Sequence, residues 1–158
     1  MRYVTFSLPS DPAPRLGALR GNHVLDLSAN GGPPSLLALI QAGPAQWQGA
    51  ASVAEAMGGA GHPLDGVGLH EIPAGSVENV FCLGLNYVAH AKESAAARNK
   101  ETKIPEIPVI FSKTPTTVNG PFDDIPVDRG ATNQVDWEVE LGVVIGTPGK
   151  NIRAADAL

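Results

Sequence analysis

Asp136-Trp-Glu-Val-Glu-Leu-Gly-Val-Val-Ile-Gly146 alternates apolar and polar residues through its first half. Trp137, Val139, Leu141 and Val143 share one side of an extended chain, and Glu138, Glu140 and Gly142 share the other, because successive side chains of a strand point to opposite faces. The stretch therefore reads as a β-strand with an apolar face for a core and two adjacent carboxylates on the opposite face. Like charges held that close are unfavourable unless a cation, a shared proton or water relieves them. Carboxylate oxygens suit Mg²⁺, Mn²⁺ or Ca²⁺ better than a soft metal. Glu138 and Glu140 are thus either two ligands of a divalent cation or an exposed acidic strand face, and two carboxylates do not by themselves close a cage.

Upstream, Val80 to Leu83 is a short apolar run leading into Gly84-Leu-Asn-Tyr-Val-Ala-His90, a strand that turns into a helix. Gly84 is suited to a tight approach or an unusual backbone angle there, and Asn86 to capping the helix or its turn. His90 and Glu93, three residues apart on that helix, let a carboxylate reach and orient an imidazole. The pair is either a general base toward water or an ordinary surface pair. Cys82 has no neighbouring base and reads as a buried, inert thiol. Pro105, Pro108 and Pro115 divide the next region into extended pieces, of which Pro108 to Lys113 reads as a strand. Lys113, beside Thr114, Thr116 and Thr117, is placed either to contact an organic anion or to end a strand in solvent. Asp123, Asp124, Asp128 and Arg129 read as polar loop residues.

The N-terminal part has a different texture. Met1 to Phe6 reads as a strand, followed by a turn-rich connection through Pro9, Asp11, Pro12 and Pro14. Arg15 to Leu19 and His23 to Leu27 form a hairpin with its turn at Arg20 to Asn22. Pro34 to Ala42 and Ala45 to Met57 are helices, interrupted at Gly43-Pro44. Gly59 to Gly68 reads as a linker, with the boundary between modules at about residues 58–75. His62 and His70 in that region read as solvated loop histidines. Residues 1–70 are expected to form a small α+β module, and 71–158 the first part of a second domain.

Composition limits what this chain does. Its 158 residues are 43% hydrophobic and 17% charged, enough apolar matter for a core. Eighteen Gly and fourteen Pro favour turns over long helices. A net charge of -5 disfavours a nucleic-acid surface. No apolar run approaches a membrane span, and a lone cysteine forms no internal disulfide, which points to the cytoplasm.

Taken in order, Cys82–Glu93, Pro108–Lys113, Asn119-Gly-Pro121 and Asp136–Gly146 resemble the fumarylacetoacetate hydrolase family over about residues 78–158. The resemblance implies a mixed, mainly β fold: a fumarylacetoacetate hydrolase-like β roll, here truncated, preceded by the small N-terminal module and commonly paired as a homodimer. It implies Mg²⁺ or Mn²⁺, with Ca²⁺ as a variant, held by Glu138, Glu140 and a later aspartate beyond the end of this sequence. His90 matches the family's water-activating histidine, Glu93 its partner, and Lys113 joins them as a candidate catalytic residue. The implied substrate is a small 2-oxo or 1,3-dicarbonyl acid, and the implied reaction is hydrolysis of a C–C bond in an acylpyruvate or fumarylpyruvate. The same metal platform also serves oxaloacetate decarboxylation, isomerisation or dehydration. A fragment acting only in binding or assembly is the reading from a different class.

Overall fold

The computed structural model describes residues 1–59, 61–71 and 79–157. The chain divides into two compact units, Met1–Ile72 with Gly120–Leu158, and Pro73–Asn119. It is mixed and mainly β, as the sequence suggests.

The first unit is built on five antiparallel strands. β1 (Arg2–Leu8), β2 (Asp11–Arg20), β3 (His23–Asp26), β4 (His62–Pro63) and β5 (Gly68–His70) lie in the order β4-β3-β2-β1-β5. The expected hairpin is present, with Arg20 opposite His23 and Gly21 at φ 58° in its turn, a left-handed angle that glycine adopts without steric cost. Helices α1 (Leu36–Ala42) and α2 (Pro44–Ala56) contribute Leu39, Ala50 and Ala54 to a core with Leu16, Ala18, Leu25 and Leu27. Ser35 starts α1 by accepting the Ala38 N–H at 3.1 Å. Gly43 at φ 78° ends it, and Pro44 opens α2 where a missing N–H costs nothing. The half-buried Trp47 ties the layers together: its indole donates to the Leu39 carbonyl at 2.7 Å, and the Tyr3 hydroxyl donates to the Trp47 carbonyl at 3.1 Å.

Two expectations for this unit are corrected. The proline-rich stretch is not a plain connection, since β2 begins at Asp11 and a register shift between Phe6 and Leu8 accommodates Pro12 and Pro14 outside the regular ladder. Arg15 anchors it, paired with Asp11 and with the buried Asp26 at 3.2 Å. The Ala13 N–H, with the Arg15 charge, holds the Asp11 carboxyl below the usual carboxylate range. His62 and His70 are strand residues rather than solvated loop residues. His70 Nε2 is hydrogen-bonded to Ser7 Oγ at 2.7 Å, and the His62 ring lies against Phe6 at 6.1 Å. Short strands with little alternation carry no periodic signal, and only the ladder reveals them. Of the expected module boundary, Ala60 and residues 72–75 lie outside the described residues.

Gly17 marks the tightest packing in the sheet. A Cβ there would stand 2.5 Å from Val24 Cγ1 and 2.9 Å from Phe6 Cδ1, and both of those side chains are fully buried. Gly17→Ala is expected to lower unfolding stability by about 1–3 kcal/mol, because neither neighbour has room to withdraw. Chemical denaturation measures this as a lower midpoint at unchanged slope.

In the second unit β6 (Val80–Gly84) pairs antiparallel with β7 (Val109–Lys113), Cys82 facing Phe111 and Gly84 facing Val109. Between them runs α3 (Val88–Ala97). Both strands and the helix fall where the sequence places them. The segment Asp136–Gly146, which belongs to the first unit, does not. Its residues form no strand, and Trp137, Val139, Leu141 and Val143 are 84%, 92%, 82% and 70% exposed. A strand is stabilised by its ladder, and no described strand pairs with this segment.

Candidate functional site

The turn from β6 into α3 positions the first group of candidate residues. Gly84 completes the ladder, and a Cβ added there would meet Val109 only at an ordinary 3.5 Å. The left-handed residue is Leu85, at φ 56°, so the unusual backbone angle lies one residue later than expected. A bulky residue there carries backbone strain of about 1–2 kcal/mol. α3 begins from Tyr87 rather than Asn86: Tyr87 is the N-cap, makes no side-chain capping bond, and its carbonyl accepts the Ala91 N–H at 3.0 Å. Neither shift is legible locally, because glycine and asparagine are the residue types that normally occupy these positions.

On α3 the spacing of three brings His90 Nδ1 to 3.9 Å from Glu93 Oε2. This is an ion-pair approach rather than a hydrogen bond. The His90 side chain is 40% exposed and that of Glu93 80%, so solvent reaches both. Lys113 ends β7 opposite Val80 with its side chain exposed. The neighbouring threonines bond locally: Thr114 and Thr116 hydroxyls lie 2.9 Å apart, and the Thr117 hydroxyl donates to the Thr114 carbonyl at 2.7 Å.

His90, Glu93 and Lys113 belong to the second unit, and Glu138 and Glu140 to the first. Both glutamates are exposed. Their oxygens have the chemistry of a hard divalent-cation site, yet among the described residues no three His, Cys, Asp or Glu side chains are gathered to hold a metal ion.

A feature the sequence reading passed over is a shallow groove of about 200 Å³ beside α3, floored by Leu85, Ala91 and Ala95. Ser94, Arg98, Lys100, Glu101 and Lys103 surround that floor. Its only sequence signal is the density of charge after the helix.

Among the described residues no helix is long and apolar enough to cross a membrane.

Comparison with known proteins matches residues 79–158 to the C-terminal domain of fumarylacetoacetate hydrolase. The mitochondrial oxaloacetate tautomerase FAHD2A of Homo sapiens is 35% identical over 162 residues, covering 100% of this chain and 49% of that protein. The oxaloacetate tautomerase YisK of Bacillus subtilis (strain 168) is 42% identical over 97 residues, 61% of this chain and 31% of its own. Among solved structures, a Mycobacterium smegmatis protein described as HpcE is similar with a TM-score of 0.52 and 25% identity, covering 80% of this chain and 41% of that one. The chain thus spans about half the length of the curated relatives that match it from end to end. The domain match begins just before β6, runs through the His90–Glu93 helix and both glutamates, and agrees with a full-length sequence match and a shared fold: the chain belongs to the fumarylacetoacetate hydrolase family.

Proposed function

We propose that this chain is part of a divalent-metal enzyme that interconverts the keto and enol forms of oxaloacetate or a closely similar 2-oxo dicarboxylic acid. The observation that carries this reading is the match over the whole chain to proteins named oxaloacetate tautomerase. The His–Glu pair on α3 supplies acid–base chemistry of the kind the reaction requires.

Tautomerisation moves one proton from the carbon beside the 2-oxo group and places one on the carbonyl oxygen. In this reading His90 takes the first proton and delivers the second, and Glu93 orients the imidazole through Nδ1. Lys113 pairs with a substrate carboxylate. Glu138 and Glu140 hold Mg²⁺, Mn²⁺ or Ca²⁺ together with a further ligand. When bound, such a cation polarises the 2-oxo carbonyl and stabilises negative charge on its oxygen. Residues 1–70 are then an accessory α+β module, 71–158 the first part of the catalytic domain, and a homodimer in the cytoplasm the assembly and place of action. FAHD2A carries a mitochondrial designation, so fractionation of cells expressing the protein decides the compartment.

The test is decay of the enol absorbance of oxaloacetate, measured with the protein that carries this chain and with Mg²⁺ or Mn²⁺ present. The expected result is decay faster than in buffer, abolished by a chelator and restored by the cation. No acceleration in cation-replete, folded protein rejects the reading. The family's description as a hydrolase favours a second reading, C–C hydrolysis of an acylpyruvate; release of pyruvate from such a substrate identifies it.

A further inference from the structure

We propose that the groove beside α3 is a binding site for a small organic dianion, a dicarboxylate with a short hydrocarbon spacer, distinct from the His90–Glu93 pair and independent of the metal. This goes beyond the proposed tautomerase activity and does not rest on it.

The floor and the rim together suggest this ligand class. Leu85, Ala91 and Ala95 make the floor apolar, and small side chains at positions 91, 94 and 95 leave about 200 Å³ open along one face of the helix. That space admits a few-carbon diacid. Three cations, Arg98, Lys100 and Lys103, stand on the rim against a single carboxylate, Glu101, in a protein whose net charge is -5. Among the described residues none of the three cations is engaged in an ion pair. Ser94 adds a hydroxyl donor.

The rim is held by the way α3 ends. Asn99 adopts a left-handed φ of 49°, its N–H donates to the Ala96 carbonyl at 3.1 Å, and the Lys100 N–H donates to the Ala95 carbonyl at 2.9 Å. This is the doubly bonded helix stop that fixes the direction of the following chain, so Arg98 and Lys100 leave the helix from defined positions. The carbonyl end of a helix repels an anion. The excess of side-chain cations must therefore supply the attraction, and the binding is weak and sensitive to salt.

The test is a chemical-shift titration of the metal-free protein that carries this chain with succinate, in chelator at low ionic strength, with butyrate and inorganic phosphate as comparison arms. Saturable shifts centred on Ser94 and residues 98–103 are expected, with a dissociation constant on the order of millimolar. Arg98→Ala and Lys103→Ala should each weaken binding by about two- to fivefold, and raising the salt to about 0.5 M should remove it. Lys92→Ala, on α3 but outside the groove, should leave it unchanged. Shifts that rise linearly without saturating, succinate affinity unaltered in both Arg98→Ala and Lys103→Ala, or phosphate and butyrate binding as tightly as succinate would overturn the proposal. Chelator keeps the outcome separate from the metal-dependent reading, so either can fail alone.

Discussion

His90→Ala should lower the turnover of oxaloacetate tautomerisation by about 10²–10⁴-fold, the range typical of losing a positioned general acid–base, in the protein that carries this chain. The substitution is on a helix face that is already 40% exposed at that side chain, so the fold should survive it and cation affinity should stay at its original value. The informative comparison is Glu93→Gln. At 3.9 Å, with Glu93 80% exposed, the pair is a solvent-screened contact worth up to about 1 kcal/mol, or about fivefold in rate. A large loss for His90→Ala beside a small one for Glu93→Gln is the result expected of an imidazole that moves the proton and a carboxylate that only orients it. Equal losses would mean that the two act as one unit, with the pair drawn closer and drier in the working enzyme. Activity near the parent level in His90→Ala would remove the residue from the chemistry altogether.

Different parts of the chain were legible to different degrees, and the reason is physical. The hairpin of β2 and β3, helices α1 and α2, strands β6 and β7 and helix α3 all follow from local signals: periodicity, Gly-Pro breaks and turn residues. β4 and β5 are two and three residues long and exist only because neighbouring strands offer ladder partners, so no local pattern announces them. The backbone at Leu85 shows the opposite failure: Gly84 reads as the place for a tight approach or an unusual backbone angle, and its bulky neighbour is the residue that takes the left-handed one. The alternation in 136–146 is clear in sequence, but alternation states which face is apolar and not which strand lies alongside. The candidate residues His90, Glu93, Lys113, Glu138 and Glu140 were identified from residue type and spacing with the family resemblance. The basic rim of the groove was not, because Arg98, Lys100 and Lys103 converge only through the helix stop at Asn99.

Glu138→Gln and Glu140→Gln should each weaken Mn²⁺ binding by at least about 10–100-fold, the loss seen when a group that merely supports a metal ligand is removed, and should lower activity in parallel. The reasoning starts from repulsion. Two carboxylates at alternate positions of an extended segment repel one another, and a divalent cation between them turns that cost into attraction. Replacing either one removes a hard oxygen donor and the charge that made the pair selective for a cation. Trp137 lies immediately before Glu138 and is 84% exposed, whereas Trp47 is half-buried and donates to the Leu39 carbonyl. In a Trp47→Phe background the emission of Trp137 therefore reports ordering of the segment by Mn²⁺. A saturable emission change that is strong in the parent and lost equally in the two single variants places both glutamates on one cation. A change that survives either substitution means that the acids are a solvated face and that the cation binds elsewhere. The same readout connects the site to the fold: the exposed row of Trp137, Val139, Leu141 and Val143 becomes a strand face only when a ladder forms alongside. Cation binding that also shields Trp137 from a soluble quencher would show that ligand and strand form together.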